Sequence, residues 1–451
     1  MADYQTIILL GIYFVSLYFS LFLFLTYLEV YFRAKKEDAE NNFSFESFVD
    51  FPIVSILVPA YNEQDVVKKT LQSIFDLDYP HEKLDVIIID DGSTDGTLEV
   101  ANKFISKNNS KGFMKVISHK NMGKAASLNK ALELVRGEFF ACLDADSFVE
   151  KKSLKDMLSL YYQENDPNLV IITPAMKVDS PKTFLQRIQW MEYLVMILLS
   201  RISSFLDCLY VAPGPFSLYR TGVIKELGGF DLETVAEDQE IAYRVQKQNY
   251  RIKHCPTGYV HTTAPPNFYP FYRQRRRWYI GSMQCAYKYR GIIGNLSYGD
   301  FGLIQMCMNV FGFLFGGAAV FLSIKYLFLP FFEWLSGAFA IGFDFIPFLL
   351  SLDFSFRGLF VNLELLLPFL VLLSLTLFFF LMAHKNSNEK LFKFGYLEVI
   401  PYLFVYFILV GGILLVSALE FGVKQDSWRF WHRQTAESSE NMGNRSKKFK
   451  W

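Results

Sequence analysis

The sequence predicts an α/β domain built on a mostly parallel sheet and held between membrane-spanning α-helices. Three observations carry this expectation. Apolar runs alternate with amphipathic stretches from about Ser55 to Arg290. Long apolar segments flank that region on both sides. Acidic motifs follow the apolar runs, where a parallel sheet collects its ligands.

In chain order, the first flank is Tyr4 to Phe32, long enough for the roughly 20 residues that cross a hydrocarbon core. It is too long for a secretory leader, starts without a basic cluster and has no small-residue cleavage site before Arg33-Ala34-Lys35-Lys36. Residues 1–32 therefore read as a retained anchor. The basic cluster after it should stay in the cytosol, which places the domain inside and the N-terminus outside. Residues 33–52, polar from Glu37 to Asp50, read as a linker.

The cytosolic domain is expected over 53–290. Ser55 to Tyr61, Asp85 to Asp90, Met114 to Ser118 and Glu138 to Leu143 read as buried strands. Gln64 to Asp76, Thr94 to Ser106 and Lys124 to Arg136 read as the helices between them. Continuous apolar strands of this kind belong to sheets covered on both faces. Phe184 to Leu209 is apolar but interrupted by Arg187, Gln189, Glu192, Arg201 and Asp207, the pattern of a helix lying at a membrane interface. A second interface helix is expected near 268–289.

Beyond Arg290, spans are expected at Phe301 to Leu329, Leu359 to Ala383 and Tyr396 to Leu419. A weaker run, Phe331 to Leu352, carries Glu333 and Asp344 and reads as a poor span or a re-entrant segment. The region 301–420 thus holds three or four spans. Counting four leaves the basic tail 421–451, with Arg429, Arg433, Arg445, Lys447 and Lys448, in the cytosol as the charge rule prefers.

Composition narrows the function classes. Lys and Arg number 45 against 45 Asp and Glu, so no positive excess supports a general nucleic-acid binder. The five cysteines, Cys142, Cys208, Cys255, Cys285 and Cys307, have no metal-ligand spacing and read as reduced structural thiols.

The candidate chemistry lies at strand ends. Asp144 and Asp146 can present carboxylates to a divalent cation that also holds a diphosphate. Standing alone, the pair would read as a turn or a helix cap. Tyr61-Asn62-Glu63 and Asp90-Asp91-Gly92-Ser93 end two other strands, with Gly92 and Gly96 letting the backbone turn close to a ligand. An acidic side chain there can accept hydrogen bonds from a base or ribose, or simply cap the next helix. Lys124 opens a helix where the macrodipole disfavours positive charge, a placement that suits a phosphate or carboxylate contact.

Glu237-Asp238-Gln239-Glu240 begins an amphipathic helix. A carboxylate here can take the proton of an acceptor hydroxyl, and Asp238 is the candidate, with its pKa expected low at the helix N-terminus. In Gln274-Arg275-Arg276-Arg277-Trp278, guanidinium groups can clamp a diphosphate and an indole can stack on a sugar face. Arg273, Arg275 and Arg276 equally suit a juxtamembrane patch for anionic lipid.

In this order the motifs resemble the family 2 glycosyltransferases, particularly the processive membrane synthases of poly-N-acetylglucosamine, chitin and hyaluronan. The resemblance runs from about Ile53 to Trp278. It implies a GT-A-like fold and an inverting transfer from a UDP-sugar, with UDP-N-acetylglucosamine the family-based choice, to a growing β-linked polysaccharide. Asp90 or Asp91, the Tyr61-Asn62-Glu63 region, Lys124, Asp144, Gln274 and Arg277 would meet the nucleotide sugar. Asp144 and Asp146 would hold Mg2+ or Mn2+, and Asp238 would be the general base. Gly214 and Pro215, within Pro213 to Arg220, would meet the acceptor with Glu237 and Trp278. Implied partners are a polysaccharide or lipid acceptor, membrane lipid and accessory membrane or export subunits. The implied location is the cell membrane, multi-pass, with the catalytic domain in the cytoplasm.

Two features depart from the pattern. Ala236 stands where the family often has Thr before Glu-Asp. The single N-terminal span makes the membrane part smaller than in several relatives. Two rival readings stand beside the synthase: a glycosyltransferase that acts once on a lipid, and a transporter or inactive scaffold. The few intramembrane charges speak against the latter.

Overall fold

The computed structural model describes residues 4–40, 51–108, 112–325, 329–340 and 363–423. Residues 41–50 of the expected linker, the second half of the weak 331–352 segment and the tail from 424 lie outside these residues.

After the N-terminal helix α1 (Tyr4–Glu40), the chain runs β1 (Val54–Ala60), α2 (Val67–Phe75), β2 (Leu84–Asp90), α3 (Thr97–Asn108), β3 (Met114–Ser118), α4 (Lys124–Leu132) and β4 (Phe139–Cys142). It continues β5 (Ser147–Val149), α5 (Ser153–Glu164), β6 (Leu169–Val178), α6 (Phe184–Phe205), β7 (Leu218–Arg220), α7 (Thr221–Glu226), α8 (Glu237–Lys247), β8 (Arg251–Thr262) and α9 (Phe268–Lys288).

The eight described strands form one sheet in the order β3-β2-β1-β4-β7-β6-β8-β5. The four expected strands form its parallel half, with Ala60 level with Asp90 and Leu57 level with Cys142. The other half makes the sheet mixed. β7 runs antiparallel to both β4 and β6, β5 antiparallel to β8, and β6 parallel to β8.

Period-two alternation feeds two cores from one buried strand. Ile56 and Val58 of β1 face α2, α3 and α5 through Leu71, Phe104 and Met157, whereas Leu57 faces α4 and α8 through Leu128 and Ile241. Both faces are covered, as continuous apolar strands require. Each such fully buried side chain contributes about 1.5–3 kcal/mol.

A π-helical turn, Phe301–Gln305, leads into α10 (Met306–Ser323), and α11 (Leu329–Ala340) follows. The last described helices are Leu363–Asn386, Val399–Phe404 and Tyr406–Val423. Among the described residues, Tyr406–Val423 is the one helix long and apolar enough to cross a membrane, while Phe301–Leu314 and Leu370–Asn386 are shorter apolar helices. α1 packs on Leu363–Asn386 through Tyr27 and Phe24, whose rings lie 5.7 and 4.9 Å from that of Phe378.

α6, the helix expected at a membrane interface, is packed into the protein along one face while Phe184, Met196 and Leu199 stay exposed. Trp190, Met191, Leu194 and Leu198 are buried in a cluster shared with Phe380 and Ala383. Its interrupting charges are matched inside the protein, Arg187 with Glu398, Glu192 with Arg275 and Arg201 with Asn386. Polar residues in an apolar helix thus mark partners on neighbouring elements.

Candidate active site

The parallel half of the sheet brings the ends of β1, β2 and β4 to one edge, and the loops there are stitched together by their own polar groups. Asn62 adopts a left-handed conformation (φ 56°), which asparagine tolerates well. Its side-chain carbonyl accepts from the Thr94 N–H at 2.8 Å, and its own N–H donates to Ser93 Oγ at 3.1 Å. Gly92 (φ +74°) lets the next loop approach so closely that a Cβ would lie 2.7 Å from the Asn121 nitrogen.

The two aspartates of Asp90-Asp91 divide the work. Asp90 is buried and accepts from the Ser93 N–H and the Ser118 hydroxyl, so it braces the loop. Asp91 accepts from the Met122 and Gly123 N–H groups at 2.9 and 3.0 Å and reaches the cleft. His119 lies 3.4 Å from the same carboxylate.

The cleft has a volume of about 360 Å³, and its wall includes Tyr61, Glu63, Asp91, Lys124, Asp144, Asp146 and Arg277. Its acidic side is electrostatically crowded. Burial, then Asp146 and Asp144, push Glu63 up to about 7. Burial, then Asp144, raise Asp146 as well. Among the described residues no group of three or more His, Cys, Asp or Glu side chains is arranged to hold a metal ion by itself. The donor set is nonetheless hard oxygen with excess negative charge, which fits a Mg2+- or Mn2+-type ion that takes its remaining ligands from water and a diphosphate.

Lys124 joins this acidic side to the start of α8. Its Nζ lies 2.7 Å from Asp144 Oδ1 and 3.0 Å from Glu237 Oε1, the carboxylate contact that its sequence position suggested. Gly214 closes over the pair: a Cβ there would fall 2.8 Å from Lys124 Nζ and 2.9 Å from Asp144 Oδ2. The neighbouring Pro215 is buried. Phe216 takes a left-handed φ of 65° and donates its N–H to the Cys142 carbonyl, fixing this loop to the end of β4.

Asp238 departs from the expected low pKa. Burial, reinforced by the adjacent Glu237 carboxylate, pushes it up to about 6, against the pull of Lys124 and Arg277. The helix dipole, worth typically 0.3–1 kcal/mol, is outweighed. Glu237 behaves oppositely: although burial pushes it up, Lys124 holds it below the usual carboxylate range. Adjacent carboxylates are thus driven apart in acidity, the pattern that separates a base from a permanent anion.

Helix α9 supplies the third wall. Ala236 stands at its contact with α8, where a Cβ on Gly281 would lie 2.4 Å from the Ala236 Cβ. Small residues at both positions let the helices touch, which gives Ala236 a packing role in place of the family's threonine. Arg277 is exposed to the cleft. Gln274 has its Oε1 buried without a protein partner. Trp278 is partly buried against the α6 cluster.

Arg275 and Arg276 correct the lipid-patch expectation. Arg275 is only 3% exposed and pairs with Glu192, and Arg276 is held by both carboxylate oxygens of Glu420. A run of arginines looks uniformly basic in sequence, but helical rotation sends successive members to different neighbours.

Of the candidate residues, Tyr61, Glu63, Asp91, Lys124, Asp144, Asp146 and Arg277 share the cleft. Glu237 and Gly214 adjoin it through Lys124. Asn62 and Asp90 stand behind it as braces. Sequence reading missed Pro59 and Ala60 and the site contribution of Asn121 and Gly123, which also line it. Gly123, with φ +87° just before the helix-opening lysine, carried the one usable signal.

The mixed sheet, with carboxylates gathered at the ends of its parallel strands, agrees with the GT-A-like fold expected from the motifs. Residues 55–228 match the family model of glycosyl transferase family 2. It is 30% identical over 229 residues to a poly-beta-1,6-N-acetyl-D-glucosamine synthase of Staphylococcus aureus (strain MSSA476), covering 51% of this chain and 54% of that protein. It is 29% identical, over the same coverage, to the synthase of that name from Staphylococcus epidermidis. The chain spans about half the length of the curated relatives it matches. A mannosyltransferase from Pyrobaculum calidifontis, solved in complex with GDP-Man and Mn2+, shares the fold with a TM-score of 0.52 at 18% identity, over 84% of this chain and 99% of that one.

Proposed function

We propose that this protein is an inverting family 2 glycosyltransferase that moves N-acetylglucosamine from its UDP-sugar to a growing β-linked polysaccharide at the membrane. The observation that carries the reading is the opposition of two carboxylate sets across Lys124: Glu63, Asp144 and Asp146 on one side, Glu237 and Asp238 on the other. The first set suits a cation and diphosphate, and the second suits an acceptor hydroxyl. The choice of sugar and polymer rests on the similarity to the staphylococcal synthases over residues shared with the domain.

In the proposed reaction Asp238, with its raised pKa, takes the proton of the acceptor hydroxyl. The hydroxyl oxygen attacks the anomeric carbon as its bond to the β-phosphate oxygen breaks, so an α-linked donor gives a β-linked product. Arg277 and Lys124 offset the negative charge that collects on UDP. Asp144 and Asp146 would hold a divalent ion, which when bound supplies further stabilisation of the leaving diphosphate. Tyr61, Asp91 and Gln274 would meet the nucleotide sugar, and Gly214, Pro215, Glu237 and Trp278 the acceptor.

The membrane setting belongs to the same proposal, with the catalytic domain cytosolic and the chain multi-pass. It is supported by the apolar helix Tyr406–Val423 and by the exposed Phe14, Tyr18, Leu25 and Phe32 of α1. Domain limits of 53–290 and 301–420 follow the same division.

The test is UDP release by the purified full-length protein across a panel of UDP-sugars, with product length measured on labelled donor. The proposal expects UDP-N-acetylglucosamine to be preferred and products to extend over many units. A product that stops at one sugar in the lipid extract would select the lipid-acceptor reading instead.

A further inference from the structure

Glu192 of α6 belongs to none of the motifs, yet it makes a two-point contact with the helix that carries Arg277 and Trp278. Its two carboxylate oxygens take Arg275 Nη1 at 3.1 Å and Nη2 at 2.5 Å. The Arg275 guanidinium lies over the Trp278 ring, 4.2 Å from its centroid, and 5.1 Å from that of Phe271. The Tyr406 hydroxyl donates to the same Glu192 Oε2 at 2.9 Å. One residue on, Arg276 Nε donates to Glu420 Oε2 at 2.6 Å. α9 is therefore tied to α6 through Glu192 and to the helix Tyr406–Val423 through Tyr406 and Glu420.

A buried arginine–carboxylate pair is poor value for stability, because desolvation offsets much of the attraction. What a two-point contact does supply is direction: it fixes the plane of the guanidinium. A plane fixed by Glu192 and stacked on Trp278 fixes the indole in turn.

We infer that Glu192 is a positioning residue for the acceptor side of the site, acting through Arg275 on Trp278, with Tyr406 linking the C-terminal helix to the same pair. The inference rests on the proposed function, in which Trp278 meets the acceptor. Among the described residues, the cleft carboxylates pair away from this assembly, Asp144 with Lys124 and Asp146 with Ser147, so loosening Glu192 bears first on the acceptor side. Loosening Glu192 weakens acceptor binding and leaves hydrolysis of the donor by water intact.

The experiment measures two activities of the full-length protein in detergent: UDP release from UDP-N-acetylglucosamine without acceptor, and transfer to a short N-acetylglucosamine oligosaccharide. The variants are Glu192→Gln, Glu192→Asp, Tyr406→Phe and Trp278→Ala. Expected for Glu192→Gln is a rise of about tenfold in the KM for the oligosaccharide, with acceptor-free UDP release unchanged. Glu192→Asp restores part of that loss. Tyr406→Phe, which removes one hydroxyl and keeps the buried pair, gives a smaller rise in the same KM and remains informative if Glu192→Gln does not fold.

Acceptor KM unchanged in Tyr406→Phe and in a folded Glu192→Gln, with Trp278→Ala raising it, overturns the inference alone. An equal loss of both activities, unrestored by Glu192→Asp, also overturns it. Trp278→Ala with an unchanged acceptor KM overturns the acceptor role proposed for Trp278, and the inference with it.

Discussion

Lys124 holds its ammonium 3.0 Å from Glu237, and the residue beside that anion, Asp238, is the carboxyl pushed up to about 6. The two neighbours of Asp238 act on it in opposite senses, Glu237 raising its pKa and Lys124 lowering it.

The proposed base works in its ionised form, so transfer rises with pH through about 6. Lys124→Met removes a positive neighbour and moves this limb to higher pH. Glu237→Gln removes a negative one and moves it to lower pH. Rate profiles of acceptor-dependent UDP release in the three proteins check the signs; shifts in the same direction would refute the assignment.

Asp146→Asn lowers UDP release by about 100-fold or more, because it weakens the hold on the cation that would offset charge on the leaving diphosphate. The fold persists, because burial and Asp144 already disfavour the Asp146 anion. Circular dichroism beside the rate measurement separates the two effects. Chelation abolishes release from the parent protein and added Mn2+ or Mg2+ restores it.

Gly214→Ala places a methyl 2.8 Å from Lys124 Nζ and 2.9 Å from Asp144 Oδ2. The Lys124–Asp144 pair must then shift, and activity falls by about 10- to 100-fold without unfolding. Full activity in this variant would show that the loop does not set the position of the pair.

Phe140 is fully buried, with its ring stacked 4.9 Å from that of Tyr219 where β4 meets the antiparallel half. Phe140→Ala should cost about 3–5 kcal/mol, read as a lowered unfolding midpoint. Asn62→Ala, at an exposed loop end, should cost less while loosening the cleft rim.

Much of the parallel half was legible because the four strands are short, apolar and followed by acidic or glycine-bearing turns. Met114–Ser118 matches the expectation residue for residue, and the N-terminal anchor lies in one helix. The later strands were not legible. β6 and β8 carry Thr173, Pro174, Lys253, His254 and Pro256, and register shifts fall at Leu169/Ile171 and Thr173/Ala175. β5 and β7 are three residues each, too short for a pattern.

At the site, residue types were readable but electrostatics were not. The low pKa expected for Asp238 considered its own helix alone, whereas its surroundings come from α4, α9 and the end of β4 through Lys124, Arg277 and Asp144. Likewise Arg275 and Arg276 read as surface charge, because Glu192 and Glu420 lie 83 and 144 residues away in sequence.

The central claim is that Asp238 takes the acceptor's proton while the Asp144–Asp146 side holds the departing nucleotide. It is tested most directly by acceptor-dependent UDP release from UDP-N-acetylglucosamine in the full-length protein and its Asp238→Asn variant, with nucleotide binding measured in both. The account predicts that the variant binds UDP as the parent does and loses at least about 100-fold in transfer. Undiminished transfer by Asp238→Asn would contradict it.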